Sequence, residues 1–409
     1  MRIIHHPQWF LVLTFLALIV AVPLVQVAVE LFPRQGERPQ ALDVFCRRPT
    51  AANLRAYERN LEDGSWAAAL MRPWVQYALF AWLKDGGEKA LVGRDGWLFY
   101  KPGVQYLTER PRAQRATATA DEAAAAIIAF RDQLAARNIQ LLVMPAPNKE
   151  SVYPEKLTGR AEGLRGAVCA ETQSLLVQLK AAGVEVIDLF ELFAAARTSG
   201  NRATELSSES KRAVAVTSPD GPITRSPDPL LYLRQDSHWS PAGVALAADA
   251  VAQRILKLGW AKPGTIGYET RPAAVERIGD VLRMLQVPRL ERETPPEHVP
   301  CTRVVRSDSG QPYQDDPASE ILVLGDSFLR IYEQDEPGAA GFIAHLSKAL
   351  ATPVASIVND GGASTLVRQE LYRRPALLAH KRLVIWEFVE RDIRLGAEGW
   401  QAVPLPPRN

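Results

Sequence analysis

The stretch Ile321-Leu322-Val323-Leu324-Gly325-Asp326-Ser327-Phe328 decides the fold of this 409-residue chain. Its first four residues form an apolar run of strand length, and the Gly-Asp-Ser that follows is typical of a sharp turn. Comparable runs lie at 140–144, 184–189, 354–358 and 382–388, with helical patterns between them. Short apolar strands that alternate with helices predict an α/β fold, in which helices cover both faces of a parallel sheet.

A second motif, Asp236-Ser237-His238-Trp239, precedes a helix that we expect to begin at Ser240-Pro241. The carboxyl ends of parallel strands collect ligands, and Ser327 follows such an end directly. A serine hydroxyl needs a neighbouring base, and a carboxylate beside that base fixes its tautomer. Each motif alone also fits a plain turn or a structural histidine. Together, in a chain with six His, they predict Ser327 as nucleophile, His238 as base and Asp236 as the orienting acid.

Donors for an oxyanion hole are expected beside Ser327. The N–H of Ser327 is one candidate. Asn359-Asp360-Gly361-Gly362 follows the next strand, so Gly361 or Gly362 can supply a second N–H and Asn359 a side-chain amide. An ordinary glycine turn is the alternative.

The N-terminus contains an apolar run, Trp9–Val29, that is long enough to cross a membrane as a helix. Arg2 precedes it, which predicts a cytoplasmic N-terminus and a body in the bacterial periplasm. The alternative is a cleaved signal peptide, which has a shorter core and a small-x-small site. We therefore predict a signal anchor at 1–32, a membrane-proximal linker and helical segment at 33–84, and the catalytic domain at 85–400.

The composition is that of an ordinary globular protein, with 47% hydrophobic residues, 23% charged residues and a net charge of +2. There is no long basic run, so nucleic acid is not an expected partner. Residues 199–229 and 260–318 are polar and predict long surface insertions. Of three cysteines, Cys46 and Cys301 lie in irregular, proline-flanked segments and are predicted to form a disulfide, whereas Cys169 lies in a helical pattern. No C-x-x-C occurs, and no metal site is expected.

Five motifs carry a resemblance to a known family. They are Gly93–Phe99, Pro145–Lys149 with Val152-Tyr153-Pro154, Asp236–Trp239, Gly325–Phe328 and Trp386–Arg391. In this order they resemble the SGNH-hydrolase-like O-acetyltransferases of bacterial exopolysaccharides, a group that includes the alginate acetylation proteins J and X. The D-x-H motif lies upstream of the serine, as in the alginate group, and the Gly-x-Asn-Asp block of other SGNH enzymes is incomplete. The chain resembles the membrane-anchored, single-domain type J.

The resemblance implies that Ser327 accepts an acetyl group and passes it to a polysaccharide hydroxyl such as one of alginate. It also implies a membrane-bound O-acyltransferase partner as the acetyl donor, and chemistry that needs no cofactor. Trp239, Trp386 and Tyr153 are candidates for stacking on sugar rings, with core packing as the alternative. Two cations are candidates for binding a uronate carboxylate or neutralising a charged intermediate, with a structural ion pair as the alternative: Lys149 and Arg391.

Two other functions remain open at this point. A carbohydrate acetylesterase uses the same three side chains and differs only in the acceptor, which is water. A non-catalytic scaffold of an exopolysaccharide export complex would not need Ser327.

Overall fold

The five apolar runs form one parallel sheet in the structure, a computed structural model that describes residues 7–31, 42–46, 48–108, 116–164, 166–198 and 230–407. The strands of this sheet are β3 (Gln140–Ala146), β4 (Glu185–Val186), β9 (Ile321–Gly325), β10 (Ala355–Val358) and β11 (Leu383–Val389). Their order is β10-β9-β11-β3-β4, and every neighbouring pair is parallel. The predicted fold class is therefore confirmed.

Three antiparallel pairs lie outside the sheet. They are β1 (Ala90–Val92) with β2 (Leu98–Tyr100), β5 (Tyr268–Pro272) with β8 (Thr302–Arg306), and β6 (Val275–Arg277) with β7 (Glu297–Val299). The insertion predicted at 260–318 thus contains two small sheets, whose strands each carry at least one Val or Thr, residues that favour strands even within a polar segment. The insertion predicted at 199–229 falls outside the described residues.

The longer helices are α1 (Pro7–Leu31), α3 (Ala51–Gly64), α4 (Trp66–Ala78), α5 (Lys101–Thr108), α6 (Ala116–Ala135), α9 (Ala170–Ala181), α10 (189–198), α11 (Pro241–Lys257), α15 (Phe342–Leu350) and α16 (Leu366–Arg373). The shorter ones are α2 (Asp43–Cys46), α7 (Lys149–Val152), α8 (Pro154–Leu157), α12 (Asp280–Met284), α13 (Pro288–Glu293), α14 (Ser327–Arg330) and α17 (Gly396–Gly399). A π-helical turn, Leu79–Leu83, continues α4.

Helices cover both faces of the sheet, as the continuous apolar strands predict. Side chains alternate along a strand, so Ile321 and Val323 belong to the core shared with α11 and α15, whereas Leu322 and Leu324 belong to the core shared with α6, α9 and α16. All five residues of β9 are buried. This packing fixes the position of the turn that follows Gly325.

Sequence patterns placed most element boundaries within a few residues. Ser240 caps α11 as predicted, with its Oγ accepting the N–H of Gly243. The strand expected over 184–189 is only Glu185–Val186, since residues 189–198 are helical.

The chain divides into two units. One contains the helices that precede residue 86 together with Gln286–Leu290, and the other contains the remainder, including the whole parallel sheet. In the first unit α1 is an apolar helix whose stretch Leu11–Leu31 is long enough to span a bilayer.

Candidate active site

The turn after β9 presents Ser327 at the first position of α14. Asp326 caps this helix, because its Oδ1 accepts the N–H of Phe328 at 2.9 Å. The Asp326 N–H donates to Glu387 Oε2 at 3.0 Å, which ties the turn to the neighbouring strand β11. A side chain on Gly325 would meet Glu387 Oε2 and Leu329 Cδ1 at 2.4 Å, so a larger residue would have to displace the carboxyl that accepts the Asp326 N–H.

Ser327, His238 and Asp236 form a continuous hydrogen-bonded chain. His238 Nε2 lies 2.8 Å from Ser327 Oγ, and His238 Nδ1 lies 2.6 Å from Asp236 Oδ1. Asp236 is completely buried and His238 nearly so, whereas Ser327 is partly exposed. The structure therefore brings together the three side chains that the two sequence motifs singled out.

Asp236 accepts four hydrogen bonds. Oδ1 accepts the Nδ1–H and the backbone N–H of His238, and Oδ2 accepts Arg277 Nε–H at 2.9 Å and the N–H of Asp280 at 3.2 Å. Burial raises the pKa of this carboxyl, but the His238 and Arg277 interactions lower it more, and the net pKa lies below its usual range. Asp236 is therefore an anion at neutral pH.

The environment of His238 sets the charge of its imidazole. Burial lowers its pKa, but the charge and hydrogen bond of Asp236 and the charge of Asp280 raise it more strongly, so the net pKa is above the usual value. An imidazole of raised pKa is a stronger base for a serine hydroxyl.

Asp280 and Arg277 are functional neighbours that sequence reasoning missed. Asp280 accepts the N–H and Oγ–H of Ser237, and its Oδ2 lies 3.6 Å from His238 Nδ1. Both residues come from the polar segment 260–318, where no pattern distinguishes them from surface charges. Within the described ranges, Asp236, His238 and Asp280 also form the one cluster with the spacing of metal ligands, but their atoms are already paired with one another and with Ser237.

Lys149 does not face substrate. It is 2% exposed, and its Nζ donates to the backbone carbonyls of Leu98, Arg234 and Asp236. All three donors of the ammonium are used, so the predicted contact with a uronate is wrong. The bond to the Asp236 carbonyl instead fixes the loop that carries Asp236 and His238.

The three aromatic residues predicted to stack on sugars lie in the core. Trp239 and Trp386 are 0% exposed and Tyr153 is 5% exposed, so none offers a ring face to a ligand. Trp239 donates to the carbonyl of Phe328 at 2.9 Å, and Trp386 donates to that of Ala363 at 2.8 Å. The core-packing alternative is correct for all three.

Arg391 is half-buried beside the nucleophile turn. Its guanidinium lies 5.0 Å from the ring centre of Tyr100 and 6.0 Å from that of Phe328. Burial raises the pKa of Asp326, and the charge of Arg391 offsets part of that rise, so the net pKa stays above its usual value. Arg391 forms no ion pair within 4.0 Å among the residues that the structure describes. Its role as a substrate ligand stays a prediction.

The structure places the predicted oxyanion donors differently. The N–H of Gly362 donates to the carbonyl of Asn359 at 3.1 Å within the turn. Because this N–H is already used, the prediction that Gly362 donates to an oxyanion is wrong. The N–H of Ser327 donates to no other described residue and is available. Gly361 and Asn359 follow β10, and Asn359 N–H donates to the carbonyl of Gly325 at 3.0 Å, which places this loop beside the nucleophile turn. Gly361 and Asn359 stay predictions.

A cavity of about 550 Å³ opens onto His238 and Ser327. This volume is in the range of ligand sites. Its charged lining residues include Arg277, Arg330 and Asp360, and Arg330 Nε forms an ion pair with Asp360 Oδ1 at 2.9 Å. Ser327 and His238 therefore face a space that is large enough for a small acyl donor or a sugar.

The predicted Cys46–Cys301 disulfide is wrong. Cys46, Cys169 and Cys301 are all free thiols; Cys46 is exposed and Cys301 is buried. Burial raises the pKa of the Cys301 thiol to about 12.

Known proteins resemble this chain along most of its length. The probable alginate O-acetylase AlgJ of Azotobacter vinelandii is 24% identical over 339 residues, which are 81% of this chain and 74% of the relative. The protein of the same name from Pseudomonas putida is 25% identical over 348 residues, 81% of this chain and 75% of the relative.

Among solved structures, the O-acetyltransferase domain of Pseudomonas putida AlgJ superimposes with a TM-score of 0.55 and 21% identity, covering 75% of this chain and 92% of that domain. This likeness shows the fold. The family model described as "SGNH hydrolase-like domain, acetyltransferase AlgX" matches residues 90–203 and 209–390, and the chain belongs to that family of SGNH-like acetyltransferase domains.

Proposed function

We propose that this chain is a membrane-anchored O-acetyltransferase that acts in the periplasm on hydroxyl groups of a bacterial exopolysaccharide such as alginate. The observation that carries the chemistry is the chain Asp236–His238–Ser327, with its two contacts of 2.6 and 2.8 Å. The family supports acetyl transfer, and the relatives named alginate O-acetylases support the polymer.

The reaction follows from the geometry in two halves. In the first, Ser327 Oγ attacks the carbonyl carbon of an acetyl donor while His238 Nε2 takes its proton, and the leaving group departs with that proton. An acetyl ester on Ser327 remains. In the second, a polysaccharide hydroxyl gives its proton to His238 and attacks the ester, and the proton returns to Ser327.

The Ser327 N–H is the proposed donor to the oxyanion of both tetrahedral intermediates, with Asn359 or Gly361 as the second. We propose Arg391 as a ligand for the acceptor, since its guanidinium is beside the turn and has no carboxylate partner in the described residues.

We further propose that α1 is an uncleaved anchor, and that a membrane-bound O-acyltransferase supplies the acetyl group from across the membrane. The apolar stretch Leu11–Leu31 supports the anchor. Membrane fractions should retain the full-length chain after salt and carbonate washing. A soluble form that begins near residue 29 or later would instead indicate a cleaved signal.

Mass spectrometry of the purified protein with an acetyl-ester donor tests the chemistry. We expect an acetyl group on Ser327, and its transfer when mannuronate oligomers are added. Ser327→Ala should abolish both, whereas Ser309→Ala, which changes a serine on an exposed turn, should not. Release of acetate alone in the presence of acceptor would indicate an esterase, and normal polymer acetylation in cells with Ser327→Ala would indicate a scaffold.

A further inference from the structure

The helical segment from Trp66 to Leu83 presents a concentration of exposed apolar side chains. Their exposed fractions are Trp66 42%, Leu70 55%, Met71 59%, Trp74 69%, Val75 50%, Trp82 83% and Leu83 71%. Elsewhere in the described residues outside α1, large exposed apolar side chains are scattered along the sequence, as on any soluble protein. Soluble proteins rarely leave a continuous apolar patch of this kind uncovered.

Five of these exposed side chains lie in two adjacent rows of α4. Trp66, Leu70 and Trp74 are four residues apart and therefore form one row, and Met71 and Val75 form the adjacent row. No residue of α4 is buried, so this side is not covered by the described part of the chain. Such a wide apolar side on a helical segment that contains Arg72 and is followed by Lys84 is typical of helices that lie in a membrane interface.

The start of this segment is fixed to α1. Gln26 of α1 is 4% exposed; its Nε2 donates to the carbonyl of Gly64 at 2.8 Å, and its Oε1 accepts the N–H of Trp66 at 2.7 Å. Gln26 lies five residues before Leu31, the last residue of the apolar stretch, which corresponds to about 7.5 Å along a helix. Trp66 is thus held beside the last turns of the apolar stretch, at the level where a spanning helix leaves the hydrocarbon.

We propose that Trp66–Leu83 lies in the outer interface of the membrane that α1 spans, with its apolar side in contact with lipid acyl chains. Three tryptophans suit this depth, because indole rings concentrate at the boundary between headgroups and hydrocarbon. Arg72 and Lys84 are then positioned to reach the headgroups by extending their side chains. The chain contacts the bilayer through two elements. This inference rests on the proposed anchor and is independent of the proposed chemistry.

Quenching by brominated lipids tests the contact. The full-length chain is reconstituted in phosphatidylethanolamine–phosphatidylglycerol vesicles that carry bromine at acyl carbons 6 and 7 or at carbons 11 and 12. Of the nine tryptophans, Trp97, Trp239, Trp386 and Trp400 are buried in the body and should not respond. The triple change Trp66→Phe, Trp74→Phe and Trp82→Phe should remove at least half of the quenching, and the shallow bromines should quench the wild type more than the deep ones. Trp260→Phe is the matched control and should leave the quenching unchanged.

Equal quenching of the wild type and the triple variant would overturn the proposal. Each single replacement is measured as well. If the triple variant has a lowered melting temperature, the loss of quenching in the three folded single variants decides the question. A photocrosslinking amino acid at position 74 in intact cells separates the possible occupants. We expect adducts with lipid, and a discrete adduct with a protein in their place would show that this side docks a membrane protein instead.

Discussion

Asp236→Asn is the change that examines the proposed triad most closely, because the structure specifies which way the new amide must face. Oδ2 accepts from the charged Arg277, so the asparagine oxygen should stay on that side and the NH₂ group should face His238. Nδ1 of His238 must then become the acceptor and the proton moves to Nε2, which can no longer take the proton of Ser327. The wrong tautomer in a triad costs on the order of 10⁴ in turnover, or about 5.4 kcal/mol.

Stability should also fall, but by less. The amide leaves the backbone N–H of His238 without an acceptor, which costs about 1–3 kcal/mol for one buried hydrogen bond.

The pH profile supplies a second, independent measurement. The base must be neutral, so the rate rises with pH through the pKa of His238, which Asp236 raises. Without that charge the effect of burial dominates, and the midpoint of any residual rate should move to lower pH.

The assay is hydrolysis of an acetyl ester by the purified chain over a pH series, with a thermal melt at each pH. Asp308→Asn, on an exposed carboxylate paired with Arg306, is the matched control and should change neither rate nor melt. A folded Asp236→Asn protein that loses less than about tenfold, far short of the triad expectation, would refute the assignment. A larger loss in Asp280→Asn than in Asp236→Asn would transfer the orienting role to Asp280, whose Oδ2 lies 3.6 Å from His238 Nδ1.

Other predictions concern the groups around the site. Burial raises the pKa of Glu387 well above its usual value, so this side chain is a neutral acid that resembles an amide, and Glu387→Gln should retain the rate within about threefold. Glu387→Ala removes the acceptor of the Asp326 N–H and should lower the free energy of unfolding by about 1–3 kcal/mol, which denaturant titration can measure. Lys149→Met should lower the free energy of unfolding by about 3 kcal/mol or more, because three buried carbonyls lose their donor, and an unchanged melt would contradict this reading. Burial raises the pKa of Glu150 and Glu390 to about 7 and that of Glu333 to about 8, so the stability they contribute is complete below about pH 4.5 and is lost as the pH rises through 7 to 8. The Tm at pH 9 should therefore be lower than at pH 6, and a higher one would show that these carboxyls are not buried as neutral acids. Without prior reduction, a maleimide reagent should label Cys46 in the native protein and Cys301 only after unfolding. If neither cysteine were labelled until a reductant was added, the Cys46–Cys301 disulfide would exist after all.

The sequence predicted the sheet and the three central side chains because each has a local signal. Apolar runs of strand length indicate burial on both faces, and a serine within three residues of the end of such a run must lie near the carboxyl edge of the sheet. The pairing of His238 with Asp236 follows from their separation of two residues.

The remainder depended on packing that no local pattern encodes. Trp239 and Lys149 are residue types that often bind ligands, and only their burial shows that they instead hydrogen-bond the backbone next to the site. Arg277 and Asp280 reach Asp236 from the polar segment 260–318, where long-range contacts decide which charges turn inward. Composition likewise does not encode which cysteines pair, and Cys46 and Cys301 are free thiols in the structure.

The position of β11 has a consequence for how the protein is made. This strand is the last of the sheet in the sequence, yet it lies between β9 and β3 and pairs with both. Until Leu383–Val389 has been synthesised, the sheet can form only as two separate pairs, β9 with β10 and β3 with β4. The Glu387 acceptor that holds the nucleophile turn arrives with the same strand. The turn that carries Ser327 is therefore completed only after almost the whole chain has been synthesised.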